Sequence, residues 1–400
     1  MILELHAIQS FAPANLNRDD TGAPKECVFG GVRRARVSSQ SWKRAIRMQF
    51  RNELSDIATG TRTKRAHQEI VDRLLAADPS LDPETARHRA AVVLEAEPLG
   101  LSLKQAADGA EVKTGQLLFF RDADLDTLAA VARDYSSDLD ELPSSLDTDT
   151  GEKPASASRQ TQSKNKLPKD AASRIKTAMT SPGDALDVAL FGRMVAELPE
   201  GNVDAACQVA HAIGTHRLAP EYDYYTAVDD LQPDDTEGAD MIGTVQFNAS
   251  CLYRYAALDT DQLAKNLGST SDAGDLSAAV AGFARAFVTA IPTGKQNTFA
   301  ARNLPTSVLA VRRASGAWSL ANAFLKPVDA RNVTVDLAVQ STRLMVSEFT
   351  ALERMYARPQ DKVESTLLCA GPDVVERAEG TTIGDARCLD DLLDYASHTP

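Results

Sequence analysis

Residues 244–255 read TVQFNASCLYRY, and that stretch decides the fold class. Val245, Phe247, Ala249, Cys251, Tyr253 and Tyr255 alternate with Thr244, Gln246, Asn248, Ser250, Leu252 and Arg254, and only Leu252 breaks the alternation. Period-two patterning sends successive side chains to opposite faces and predicts a long strand. Working outward, residues 2–9 predict a buried strand, with Leu3, Leu5 and Ala7 on one face and Ile2 and Ile8 on the other. Ser38 and Ser39 are N-cap residue types, and a helix is predicted to start just after them. Beyond the long strand, a short helix is predicted from a cap at Asp259 or Thr260 to Gly268. A longer one carries Leu276, Val280, Phe283 and Phe287 on one stripe and stops before Pro292. A strand around 307–313 contains Val308, Leu309, Ala310 and Val311. Strand, helix, strand, helix, strand is most of a ferredoxin-like β-α-β-β-α-β unit, the architecture of RRM domains, so an α+β fold is expected.

Between the first helix and the long strand lies an insertion too long to be a loop. Residues 66–107 show helical periodicity through Ile70, Leu74 and Leu75, then Ala91, Val92 and Leu94. Residues 136–170 are the least ordered by composition. They are acidic through Asp138, Asp140, Glu141, Asp147, Asp149 and Glu152, then basic through Lys153, Arg159, Lys164, Lys166 and Lys169. A solvated linker suits the acidic half. The lysine-rich half is either linker or a mobile basic arm that adds non-specific phosphate contacts.

The chain as a whole is acidic, with a net charge of −13 over 400 residues. Against that background residues 16–47, LNRDDTGAPKECVFGGVRRARVSSQSWKRAIR, hold eight basic residues (Arg18, Lys25, Arg33, Arg34, Arg36, Lys43, Arg44, Arg47) and three acidic ones (Asp19, Asp20, Glu26). Such a local surplus fits a polyanion laid across the segment while the remainder stays soluble. At about 100° per residue, Gln40, Lys43, Arg44 and Arg47 share one face of the predicted helix, and Trp42, Ala45, Ile46 and Phe50 share the opposite one. The apolar face can dock on a core while the polar face meets a ligand. Backbone N–H groups at the helix start would add an anion site beside the serine hydroxyls. Gly30 and Gly31 would let the backbone approach a nucleic-acid strand. The blander alternative is a solvated basic face beside an ordinary turn; loop, glycines, serines and one-sided helix together favour the ligand face.

These residues resemble a known family. LNRDD, a basic residue, FGG, a run of arginines, SSQS and KRA stand in the order of the CasC family, the repeated backbone subunit of the type I-E CRISPR surveillance complex, Cascade. DVALFGRM (187–194), AHAIGTH (210–216), DYYTAVDDL (223–231), GTVQF (243–247), GKQNTFAA (294–301) and LANAF (320–324) recur in the family's order, with gaps in the middle and at the C-terminus. The resemblance implies an RRM-like (ferredoxin-like) palm with a large helical fingers insertion and a thumb hairpin. The palm would occupy residues 1–57 and 244–400, the fingers 58–205 with a flexible tract near 136–170, and the thumb 206–243. It also implies an RNA-binding set. Arg18 and Lys25 lie in the loop after the first strand, and Ser38, Gln40, Lys43 and Arg47 lie on the helix and its cap. Lys295 and Arg302 flank a loop, taken as glycine-rich, before the last core strand. Met194 is a candidate apolar contact to bases, against a plain core methionine. Tyr224, Tyr225 and Thr226 fall in the thumb, where a ring stacked on a base contributes about 1–3 kcal/mol; a hydrophobic core or sheet edge is the generic reading of the same tyrosines. Val32 follows FGG where a further basic residue can occur, and Arg33 and Arg34 are the expected compensation. Several copies would assemble head to tail along one CRISPR guide RNA, which then pairs with target DNA beside the other Cascade subunits. No cofactor is implied.

Two other classes compete. A metal-dependent ribonuclease would use paired aspartates, Asp19 with Asp20 or Asp229 with Asp230, to hold Mg²⁺; such pairs also cap helices or bridge to arginines. His211 and His216 lie five apart, Cys207 and His211 four apart, and no HExxH or Walker loop accompanies them. A scaffold protein without nucleic acid would explain assembly and acidity but not the polarity of the 40–47 helix. Five scattered cysteines (Cys27, Cys207, Cys251, Cys369, Cys388) without a CxxC pair read as free thiols in a reducing compartment. Glu4 and His6 near the start argue against a signal peptide, and no apolar run reaches membrane-span length. A cytoplasmic, non-enzymatic protein is expected. The acidic 360–400 segment (Asp373, Glu376, Glu379, Asp385, Asp390, Asp391) carries no usable motif.

Overall fold

The computed structural model describes residues 1–53, 58–105, 111–146, 166–181, 183, 185–196, 198–227, 241–268, 273–331, 334–358, 361–370 and 383–398. The chain divides into two compact units. The first comprises Met1–Asp56, Cys207–Leu263 and Ser271–Pro400, and the second Ile57–Ala206 and Ala264–Thr270.

The first unit is built on β1 (Ile2–Ala14), β2 (Glu26–Phe29), β3 (Val32–Val37) and α1 (Ser39–Glu53). After the insertion come β4 (Cys207–Val209), β5 (Ala212–Gly214), β6 (Glu221–Ala227) and β7 (Met241–Asp259). Then follow α2 (Ala273–Thr289), α3 (Gln296–Phe299), β8 (Ser307–Arg313), α4 (Leu337–Tyr356), β9 (Glu364–Cys369), β10 (Gly384–Ala386) and α5 (Leu389–Ser397). One sheet runs β10-β9-β8-β1-β7-β5-β3-β2, with β4 and β6 pairing along β7. At its centre β1 lies antiparallel to both β8 and β7, and β7 antiparallel to β4 and β5. That is the strand order of a ferredoxin-like unit, with α1 and α2 as its two helices. The predicted strand 244–255 is longer at both ends, and the short helix after it is Thr260–Leu267.

Alternation along β1 and β7 gives the central sheet two apolar faces. On one face Phe11 and Leu252 pack with Trp42, Ala35, Val37 and Ala301. Trp42, Ile46 and Phe50 of α1 are fully covered, each stabilising by about 1.5–3 kcal/mol. On the other face Ile8, Tyr253, Tyr255, Leu309 and Val311 meet Leu320, Phe324, Met345, Val346 and Phe349, the last three from α4. Both faces of the core strands are therefore covered. An RRM sheet leaves one face open to stack bases, so the likeness to RRM domains stops at strand order, and any ligand must use the edges and loops.

The second unit is mainly helical, with helices Ala66–Ala77, Pro83–Glu95, Asp122–Asp134 and Lys169–Thr180 around a core that includes Ile70, Val92, Phe120, Leu128, Ile175 and Leu198. The expected flexible tract begins differently from its composition. Ser136–Asp140 is a short helix, because Leu139 is fully buried and Asp140 accepts two 2.7 Å bonds from Arg89. Residues 147–165, which hold most of the sign change, lie outside the described residues, as do Asp229, Asp230, Asp373, Glu376 and Glu379. Among the described residues no helix is long and apolar enough to cross a membrane.

Candidate functional site

The LNRDD segment builds a loop before it offers anything to a ligand. Asn15 Nδ2 donates to the Gly22 and Gln246 carbonyls, both at 3.0 Å, and so fastens the loop to β7. Asn17 Oδ1 accepts from the Ser38 N–H at 2.9 Å and ties the loop to the start of α1. Asp19 Oδ1 accepts from the Thr21 hydroxyl (2.7 Å), the Thr21 N–H (2.9 Å) and the Ala23 N–H (3.0 Å). Those bonds, the Thr21 hydroxyl first, hold its carboxyl below the ordinary carboxylate range. Asp19 is thus a loop organiser although it is exposed, as are its neighbours Arg18 and Asp20.

Ser38 is equally occupied. It is buried, and its Oγ accepts from the Ser41 N–H at 3.3 Å, the hydrogen bond of an N-cap. The helix it starts has the two faces predicted for it: Trp42, Ala45, Ile46 and Phe50 are buried, Gln40 and Arg44 are exposed, and Lys43 and Arg47 are half-buried. Beneath the helix, Arg254 is enclosed between rings, its Cζ 3.6 Å from the Trp42 centroid and 4.5 Å from that of Phe287, and it donates to Gln9 Oε1 at 2.6 Å. Burial lowers this guanidinium to about 9. Trp42 is thereby clamped between Arg254 and Phe11, which fixes how α1 lies on the sheet.

The hairpin β2–β3 corrects two expectations. Phe29 pairs with Val32, leaving Gly30 and Gly31 as a two-residue turn with φ of 60° and 78°. Positive φ at both positions is the type I′ turn that matches strand twist. A Cβ on Gly30 would overlap the Leu325 carbonyl oxygen, so this glycine serves internal packing and not approach to nucleic acid. Arg34 is completely buried and donates to the carbonyls of Phe29, Gly214, Phe324 and Leu325. It cannot replace a basic residue missing at Val32. Arg33 is exposed and ion-paired with Glu26.

A cleft of about 510 Å³ opens between the loop and α1; of the RNA-binding set expected from the sequence only Arg18 lines it, and Lys25, Gln40, Lys43, Arg47, Lys295 and Arg302 do not. Its walls are the loop residues Arg18, Asp19 and Asp20, the α1 residues Ser41, Arg44 and Met48, and Thr293 and Gly294. Gly294 allows the close approach, since a Cβ there would overlap the Leu16 carbonyl. Lys295 follows at φ 51° and begins α3, and Arg302 is exposed beyond it. The segment between them is that short helix, not a glycine-rich loop. Gln296 holds it together by donating to the Pro292 and Ala301 carbonyls, both at 3.1 Å.

β6 and the first part of β7 form a hairpin of exposed aromatic residues. Tyr222 and Tyr224, one face of the strand, are 65% and 63% exposed, which excludes the core reading. Tyr225 pairs across from Gly243 and its ring lies where a glycine Cβ would be, so it covers the partner strand. Thr226 is exposed. Tyr222 belongs to the same tyrosine cluster in the sequence but not to the expected RNA-binding set, although it shares the period-two face of Tyr224. Met194 belongs to the second unit, where Arg193 is buried and donates to Asp124 Oδ2 at 2.9 Å and to the Gly201 carbonyl at 3.1 Å. The adjacent Met194 is 77% exposed and not a core methionine.

The histidines of 210–216 stand on no helix: His211 lies between β4 and β5, and His216 makes an isolated bridge to Val328. His216 is structural, accepting the Cys251 N–H at Nε2 (3.2 Å) and contacting the Arg217 carbonyl through Nδ1 (2.8 Å). Among the described residues no group of three or more His, Cys, Asp or Glu could hold a metal ion.

A two-sided α+β core thus carries at one edge a loop, a polar helix face and a cleft in which Arg18 and Arg44 stand beside Asp19 and Asp20. The chain belongs to the family of CT1975-like proteins, whose profile matches residues 3–395. It is similar to a chain of a solved "CRISPR RNA-guided surveillance complex, pre-nicking" at 30% identity and a TM-score of 0.81, covering 99% of this chain and 100% of that one. A chain of a second "CRISPR RNA-guided surveillance complex" is 27% identical with a TM-score of 0.72, over 99% and 100% of the two chains. No curated protein matches.

Proposed function

We propose that this chain is a guide-RNA-holding backbone subunit of a CRISPR RNA-guided surveillance complex of the type I-E kind, without catalytic activity of its own, working in the cytoplasm. The observation that carries the reading is the polar side of α1, with Gln40, Lys43, Arg44 and Arg47, beside a cleft where Arg44 meets Arg18 of the loop, in a chain otherwise acidic and a sheet closed on both faces. Arg18, Lys25, Gln40, Lys43 and Arg47 would hold phosphates, with Ser38 acting through the helix start that it caps. Lys295 and Arg302 would extend the track. A binder of this kind grips the sugar-phosphate backbone and leaves base edges outward, so the guide loses less entropy on pairing with target DNA. Tyr224, with Tyr222 beside it, offers ring faces to bases, and Met194 an apolar contact. Further copies and other subunits would be its protein partners, the copies meeting head to tail.

The competing ribonuclease reading keeps one argument, that Asp20 is exposed in the cleft beside Asp19. One experiment separates the two. The nuclease-treated chain is mixed with a guide-length single-stranded RNA with and without Mg²⁺, and particle mass and RNA length are both read. Several copies on one intact RNA support the backbone subunit. Metal-dependent shortening of the RNA moves the assignment to the ribonuclease, and a monomer that ignores RNA removes both.

A further inference from the structure

His211, between β4 and β5, was set aside in the sequence as a poor metal ligand, yet it faces the basic loop. Arg36 Nη1 lies 3.0 Å from His211 Nδ1. A guanidinium can only donate, so Nδ1 accepts, and the ring proton of a neutral His211 sits on Nε2. Burial, then the charges of Arg36 and Lys25, push the imidazole below its ordinary range and keep it neutral. Arg36 is held on two further sides: its Nε donates to the Glu26 carbonyl at 3.2 Å, and its N–H to the Lys25 carbonyl at 3.0 Å. The Nε and Nη1 bonds fix the guanidinium plane and leave the Nη2 donors unassigned, while the backbone bond holds this strand beside Lys25. His211 is exposed, as is Arg18, which bridges to Pro24 next to Lys25.

We propose that Lys25, Arg36 and His211 form a phosphodiester-binding subsite for single-stranded RNA, with the neutral His211 donating through Nε2–H while its Nδ1 orients Arg36. The inference rests on the RNA-holding reading above and adds two residues to it. Arg36 and His211 meet at a partly exposed point, with Lys25 near enough for its charge to act on the imidazole, and the imidazole does for Arg36 what an acid would do without cancelling its charge. A carboxylate at position 211 would neutralise the site; a neutral acceptor aims the arginine and leaves the positive field intact.

The test uses the full chain labelled with ¹⁵N-histidine and a twelve-residue oligouridylate. Before RNA is added, the His211 ring, assigned by its loss in His211→Ala, is expected as the Nε2–H tautomer at neutral pH. RNA should then move the Nε2–H resonance while Nδ1 stays unprotonated. In anisotropy titrations, Arg36→Gln should make the slope of log K against log salt shallower by about 0.7, the share of one phosphate on a single strand. His211→Ala should weaken binding about three- to tenfold at unchanged slope, since it removes a hydrogen bond but no charge. An Nδ1–H tautomer, or RNA that binds the wild type while both variants bind equally well, overturns the subsite and leaves the RNA-holding reading standing. A wild type that does not bind RNA overturns both. Inorganic phosphate at the same phosphate concentration should leave the ring resonances in place; an equal shift would make this a free-anion site and overturn the assignment to RNA.

Discussion

The hairpin β2–β3 and the helix α1 adjoin in sequence and are both rich in arginine, but they use charge in opposite ways. In the hairpin Arg34 is buried against four carbonyls and Arg33 pairs with Glu26, and only Arg36 keeps donors for a ligand. In the helix the apolar half is buried, and Gln40, Lys43, Arg44 and Arg47 lie on the other half. A count of basic residues treats the two alike; burial separates architecture from interface. The hairpin sets the frame in which the helix presents its charge.

The contrast breaks most sharply at Arg34. Replacing it with methionine strands several buried carbonyls and should lower the unfolding free energy by about 3 kcal/mol or more, read by urea denaturation. Arg44→Ala should stay within about 0.5 kcal/mol of wild type. Comparable stability of the two variants would erase the distinction. The turn glycines give a smaller contrast. Gly30→Ala meets both a positive φ and the Leu325 carbonyl and should cost more than about 2 kcal/mol, whereas Gly31→Ala has open space and carries only the conformational cost of about 1 kcal/mol. On the β6–β7 hairpin, Tyr225→Ala should destabilise by about 0.5–1 kcal/mol through loss of the cross-strand cover on Gly243. Tyr224→Ala should leave thermal stability unchanged and weaken RNA binding instead.

The smallest effect is in acid. The Asp19 carboxyl titrates below its ordinary value of 3.8 in the fold, so its contribution is present above that pH and lost as pH falls through the lower folded value. Melting temperatures followed from about pH 5 to about pH 2 should therefore fall slightly more for wild type than for Asp19→Asn. Parallel curves would deny Asp19 its role in the loop.

Much of this was legible in sequence wherever a period ran long enough. The alternation of 244–255 gave β7 its two faces, and helical spacing sorted Trp42 and Ile46 from Lys43 and Arg47. Long-range partners were not legible. Arg34 looks like any surface arginine until Gly214 and Phe324, 180 and 290 residues away, supply its acceptors. Gly30-Gly31 has the composition of an I′ turn, and the flanking strands were too short to announce a hairpin. The helix α4, which closes the second sheet face, carried a signal that went unread. Asp336 caps it by accepting from the Ala338 and Val339 N–H groups, and the buried Ala338, Met345, Val346 and Phe349 follow at helical spacing. His211 had no local mark at all, because its meaning depends on Arg36 lying across the sheet edge.

The central claim is that the polar face of α1 holds a nucleic-acid backbone. It is tested most directly by anisotropy of the nuclease-treated chain with a fluorescent single-stranded RNA across a salt series, wild type against Lys43→Ala/Arg47→Ala. The account predicts a steep salt dependence in wild type, and in the variant a loss of at least tenfold in affinity with a slope shallower by about 1.4, two phosphates' worth. Unchanged affinity and slope in a folded variant would contradict it.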